Sequence, residues 1–216
     1  MEISNISPYC SSGQSNLWTN EKLGINTELN QIVYYISLPK LLGAMRDCYQ
    51  FDNVSMYDHG LLVSKEYCNI ISSLENGIVP EHLPEQLLTL YKTNTLLCFS
   101  KMLNYHILHD CGKPLVKTVD EEGKQHFPNH SQVSYNQFIK IYPNNEEEAF
   151  MIKHDMDFHS LSISELQDLA QTKYGFSLYL TAWAELLANA QMFNGFESVS
   201  FKIKKKKLIK CLKLFN

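Results

Sequence analysis

The chain has 216 residues, 44% of them hydrophobic, with a formal net charge of −4. That length suits one well-buried domain and is too short for two comfortable ones. The acidic balance excludes a global attraction to nucleic acid or acidic membranes, so any polyanion binding depends on local patches.

Residues 1–28 are rich in Ser, Asn and Gly without a sustained period and read as a loose N-terminal arm, followed by a single helical domain over 29–216. Apolar positions from Ile32 to Met45 predict a helix over Asn30–Cys48, interrupted around Pro39. Asp58 is the expected N-cap of the next helix, which places His59 in its first turn and ends at Asn76-Gly77. One long helix then runs from Pro84 to His109-Asp110, where Cys111-Gly112 breaks it. Alternation at Val116 and Thr118, the turn Asp120-Glu-Glu-Gly123 and Lys124-Gln-His-Phe127 predict a small β-hairpin. Pro128-Asn129 starts a further helix with His130 in its first turn. Helices follow over 131–141, 146–155, 164–171, 178–193 and 201–214, the last carrying Lys202 and Lys204 to Lys207. The expected class is mostly α with one hairpin after the His-Asp pair.

Cysteines 10, 48, 68, 98, 111 and 211 show no CxxC spacing, and the N-terminus lacks the basic and apolar regions of a signal peptide. A reduced, cytoplasmic protein is expected. No apolar run approaches the roughly 18–20 residues that cross a bilayer, so membrane insertion is not expected.

His109-Asp110 sits in Tyr105-His-Ile-Leu-His-Asp-Cys-Gly-Lys-Pro114, two hard metal ligands side by side at a predicted helix end. Imidazole and carboxylate suit a divalent ion, and Lys113, just past a glycine break, can meet an anionic substrate beside it, phosphate being the natural candidate. Successive residues on one helix diverge by about 100°, so ligands must be gathered from several helices or from helix ends. His59, His109, Asp110 and His130 all stand at predicted ends. Histidines and aspartates recur in four segments, Tyr57-Asp-His-Gly60, Tyr105–Pro114, Gly123-Lys-Gln-His-Phe-Pro-Asn-His130 and Ile152-Lys-His-Asp-Met-Asp-Phe-His159.

Taken together, these segments resemble the HD-domain metal-dependent phosphohydrolase superfamily over roughly residues 50–205. The stretch from His109 to His130 is most similar to the HD domain of bacterial tRNA nucleotidyltransferases and related RNA-end-processing proteins. The resemblance implies an HD-type helical bundle binding one or two divalent ions (Mn, Co, Ni, Fe, Zn or Mg). It assigns His59, His109 and Asp110 to the first metal, while His130 and His154 match positions used by two-metal members. The closing carboxylate stays open: Asp155 and Asp157 are candidates, Asp157 also as the cap of a following turn, and Glu185 or Asn189 is an alternative.

The implied activity is hydrolysis of nucleotide or RNA-end phosphoesters, with 2′,3′-cyclic phosphate opening and terminal phosphate removal favoured. Asp110 would position water and Lys113 would stabilise developing phosphoryl charge. Ser198, Ser200, Lys202 and Lys204 follow the Phe193-Asn-Gly195 break and form a candidate anion site at a helix start, where similar segments in HD relatives imply substrate contact. Lys205 to Lys207 read as a solvated face or RNA-backbone contacts. Phe193 and Phe196 are candidates for touching a base, whereas Tyr179 and Trp183 read as core. His126 is a loop residue and a candidate for substrate contact, His106 a half-exposed helix residue, His82 a loop residue and His159 a neighbour orienting a carboxylate. A free-nucleotide hydrolase and a non-catalytic HD-fold sensor or scaffold are the competing readings.

Overall fold

The computed structural model describes residues 37–51, 53–193 and 195–215. The arm expected over residues 1–28 lies outside them, as does the beginning of the first expected helix. Helix α1 (Leu38–Asp47) starts with Pro39 in its first turn, where a missing N–H costs nothing, so the proline begins the helix rather than interrupting it. Two short antiparallel strands follow, β1 (Tyr49–Phe51) and β2 (Val54–Ser55). They carry no clear alternation and were not expected from the sequence.

Helix α2 (Met56–Glu75) is capped by Ser55, whose hydroxyl accepts from the Asp58 backbone N–H at 3.1 Å. The cap is thus Ser55 and not Asp58, which lies inside the first turn. The helix ends at Asn76 and Gly77, the latter at φ 74. In place of one helix from Pro84 to His109 there are two, α3 (Gln86–Thr93) and α4 (Phe99–Leu108). The Thr93 hydroxyl and Asn94 amide donate to carbonyls of the preceding turn, ending α3 by local side-chain competition. The chain beyond is pinned by the Leu97 N–H donating to Ser177 Oγ at 3.0 Å.

After a turn over His109–Gly112 come the single-turn α5 (Lys113–Val116) and the expected hairpin, β3 (Thr118–Val119) paired antiparallel with β4 (Gln125–His126). Helices α6 (His130–Ile141), α7 (Glu146–Lys153), α8 (Asp157–Ser160), α9 (Gln167–Ala170), α10 (Gly175–Met192) and α11 (Val199–Cys211) complete the chain, with a 3-10 turn at Leu212–Phe215. The molecule is mostly helical, with short hairpins. Helix α10 is apolar nearly all round and runs through the core against α2 and α11, as a helix without a polar face must. Tyr179 and Trp183 are fully buried there, as expected of core. No helix among the described residues is long and apolar enough to cross a membrane.

Candidate metal centre

Two glycines set the distances at the site. A Cβ on Gly60 would stand 2.5 Å from the His106 carbonyl oxygen, so glycine lets α2 lie directly on α4 and brings His59 beside His109. A Cβ on Gly112 would stand 2.4 Å from the Ser134 N, so glycine likewise lets the turn after Asp110 dock on α6. The Gly112 N–H donates to Ser134 Oγ at 2.9 Å, fixing that approach. Helix α10 closes the group by presenting Glu185.

His109, the C-cap of α4, donates from Nδ1 to the His106 carbonyl at 2.7 Å. A carbonyl only accepts, so Nδ1 carries the proton and a neutral ring leaves Nε2 bare. That Nε2 lies 2.9 Å from Glu185 Oε1 and 3.2 Å from Asp110 Oδ2. His59 Nε2 lies 3.2 Å from the same Glu185 oxygen and 3.9 Å from Asp110 Oδ2. His130 repeats the device, donating from Nδ1 to the Phe127 carbonyl at 3.0 Å with Nε2 3.6 Å from Asp110 Oδ1. Lys113 Nζ touches Asp110 Oδ2 at 2.6 Å and donates to Gln50 Oε1 at 2.7 Å.

The electrostatics follow from these contacts. Burial opposes charge on Asp110, yet His109 and Lys113 hold its carboxyl below the usual range. Glu185 is also disfavoured by burial and is held well below its ordinary value by His59 and His109. Burial lowers His109, but Asp110 and Asp155 outweigh it and raise the ring well above its ordinary value. Burial pushes His106 down to about 3 and lowers His130 as well. Asp155, pushed up to about 6 by burial, accepts from the Tyr105 hydroxyl at 2.5 Å beside the cluster.

The donors fit a divalent cation. His59, His109 and Asp110 are buried, with ligand atoms within 4.8 Å of one another, and could hold a metal ion. Asp110 Oδ2 is enclosed, and no donor reaches it with hydrogen-bond geometry, although Lys113 lies against it as a charge. Imidazole lone pairs facing carboxylate lone pairs require a cation between them, and the alternatives here are a second ring proton or a metal. Two imidazoles with carboxylates form a donor set suited to zinc, manganese, iron, cobalt or nickel.

The other expected residues are placed as follows. Among the Asp155, Asp157, Glu185 and Asn189 candidates, Glu185 faces both histidines directly, and Asn189 donates to its far oxygen, Oε2, at 3.2 Å. His154 and Asp157 pair with each other at 2.7 Å, half-buried, and the structure does not bring them into the group. His159 has an enclosed Nε2 and feels the charge of Glu185, in keeping with a neighbour of that carboxylate; burial pushes it to about 4. His106 is buried rather than half-exposed, its Nε2 3.0 Å from Thr181 Oγ1. His126 is exposed and pairs with Asp120 across the hairpin. His82 stacks on Phe196 with ring centroids 4.2 Å apart, which covers that phenyl ring.

A cavity of about 420 Å³ adjoins Lys113, lined also by Gln50, Gly123, Lys124, Gln125, Phe127 and Phe193. Gln50 and Phe127 carry no local signal that would single them out in the sequence. Ser198 caps α11 through the Phe201 N–H, Lys202 pairs with Glu197, and neither these two nor Ser200 or Lys204 lines the cavity. No family model matches the chain, and no curated protein or solved structure does either.

Proposed function

We propose that the protein is a metal-dependent phosphohydrolase acting on a nucleotide or RNA-end phosphoester, in keeping with its resemblance to the HD superfamily. The observation that carries this reading is the convergence of His59 Nε2, His109 Nε2 and Asp110 Oδ2, with Glu185 facing both imidazoles and Lys113 linking the group to a cavity. His59, His109, Asp110 and Glu185 would hold the ion, and His130 is the nearest candidate for a second one. Such an ion would supply Lewis-acid polarisation of a phosphate oxygen and of water.

The remaining chemistry belongs to the chain. Lys113 sets an ammonium at the boundary between Asp110 and the cavity, where it meets a phosphoryl oxygen and offsets the charge that develops there. Gln50 fixes that ammonium from the other side. The hydrogen bond from His109 Nδ1 to the His106 carbonyl orients the ring and keeps its Nε2 available. Lys124 adds a second cation to the cavity wall, and the rings of Phe127 and Phe193 offer apolar faces for a base or sugar. The protein is read as working in the reducing cytoplasm. Within the same activity, opening of a 2′,3′-cyclic phosphate at an RNA 3′ end remains the preferred ester.

A free nucleotide is the second reading, favoured by one observation. The cavity has room for about one nucleotide and is not lined by Lys204 to Lys207. The deciding experiment is product analysis with 5′-, 3′- and 2′,3′-cyclic nucleotides and matching oligonucleotide ends, in manganese, cobalt, nickel and magnesium, beside an Asp110→Ala control. Cleavage of one ester, lost in the control, is the expected result. Metal retention without cleavage of any ester would replace this reading by the sensor or scaffold one.

A further inference from the structure

We infer that the outer face of α11 is a docking surface for an anionic lipid bilayer. The helix buries Phe201, Leu208 and Cys211 against the body of the protein. At 100° per residue, Lys202, Lys206 and Lys210 fall on the opposite face together with Val199, Ile203 and Ile209. Those three aliphatic side chains stand 73%, 64% and 40% exposed, so they are not part of the core.

Charge complementarity identifies the occupant. Seven of the nineteen basic residues lie between Lys202 and Lys213, and no acidic residue follows Glu197. The other twelve basic residues face twenty-three acidic ones, so the rest of the chain carries −11 while this helix and its 3-10 turn carry +7. At about 0.1 M salt the screening length is about 10 Å, so a surface touching α11 is largely screened from more distant acidic groups. The alkyl groups separate a lipid surface from a polynucleotide. Branched aliphatics between lysines enter the headgroup and acyl boundary while the ammonium groups stay at the phosphates. A single-stranded nucleic acid is met instead by aromatic rings and arginines, and this face has neither. The thirteen-residue helix is about 20 Å long and lies on the surface rather than crossing it.

The test is co-sedimentation of the full chain with vesicles of phosphatidylcholine alone, or with about one third phosphatidylserine, at low and high salt. Binding to the serine-containing vesicles alone, weakened by salt, is expected. The Lys206→Glu/Lys210→Glu variant should bind at least about tenfold more weakly, since each lysine near such a surface contributes measurably. Val199→Ser/Ile203→Ser, which leaves every charge in place, should weaken binding several-fold. All four side chains are exposed, and unchanged helical circular dichroism confirms that the variants fold. Absence of binding at low salt overturns the inference. So does binding that the serine pair leaves intact and that an RNA oligonucleotide displaces, which would assign the face to a polynucleotide.

Discussion

Lys113 and the proposed cation compete for one atom. Asp110 Oδ2 faces the Lys113 ammonium at 2.6 Å and also belongs to the buried donor group. Replacing Lys113 with Met removes the competing charge but leaves the donors, so metal affinity should hold or rise while turnover falls by at least about tenfold, as when a group stabilising the transition state is lost. Isothermal titration with manganese beside steady-state rates checks this, and loss of metal binding would contradict the role given to Lys113. Glu185→Gln keeps the shape but removes an anion shared by two imidazoles, and should weaken metal binding by at least about tenfold. Asp157→Asn, at a carboxylate paired with His154, should leave it unchanged. His59, His109 and Asp110 are legible in the sequence because His109 and Asp110 are adjacent and all three stand at predicted helix ends, the places a metal-binding resemblance assigns to them. Glu185 stands 126 residues from His59 and looks like one polar residue in a core helix, so nothing local separates it from Asp155, Asp157 or Asn189. His106 reads as half-exposed for the same reason, because it is covered by residues distant in sequence, Tyr67 of α2 and Thr181 of α10.

Helix α2 can serve the site only because it crosses α4 at Gly60. Gly60→Ala puts a methyl group 2.5 Å from the His106 oxygen and 2.9 Å from the Ile107 Cα, both on backbone that cannot rotate away. The helices must separate, which costs roughly 1–3 kcal/mol and pulls His59 from His109. The expected outcome is a lower unfolding midpoint together with weaker metal binding. Gly43→Ala is the internal comparison: a Cβ there meets nothing within 4 Å in α1, so that variant should be up to about 1 kcal/mol more stable, with metal binding unchanged. Denaturant titration with and without metal separates the two. Periodicity made α2, α6, α10 and α11 legible, because each has a one-sided or wholly apolar pattern, whereas the hairpin, exposed on both strands, was legible from its Asp120–Gly123 turn. The break between α3 and α4 was not legible, because Thr93 and Asn94 end the helix by side-chain hydrogen bonds and Leu97 is drawn away by Ser177. The β1–β2 pair is too short to establish an alternation.

The donor group draws its members from α2, the end of α4 and α10, so an ion held there ties distant segments into one cooperative unit. Binding to the folded state alone stabilises it by RT ln(1 + [L]/Kd), about 2.7 kcal/mol at a hundredfold excess over Kd, or roughly 5–10 °C in midpoint for a chain of this size. That gain should depend on pH, with a sign set by His109. Its folded pKa is raised, so in metal-free protein its contribution is fully present below its ordinary value of 6.5 and is lost as pH rises through the folded value. Below 6.5 the ring proton already screens Asp110 and Glu185 from each other, and an entering ion must displace it. Above the folded pKa the ring is neutral, the carboxylates repel, and the ion restores the missing charge without displacing a proton. Thermal unfolding with manganese or chelator should therefore show a metal-dependent rise in midpoint that is larger at pH 8 than at pH 6 and absent in Asp110→Ala. A rise that is equal at both pH values would mean that the metal does not use His109, and a rise that persists in Asp110→Ala would place the ion elsewhere.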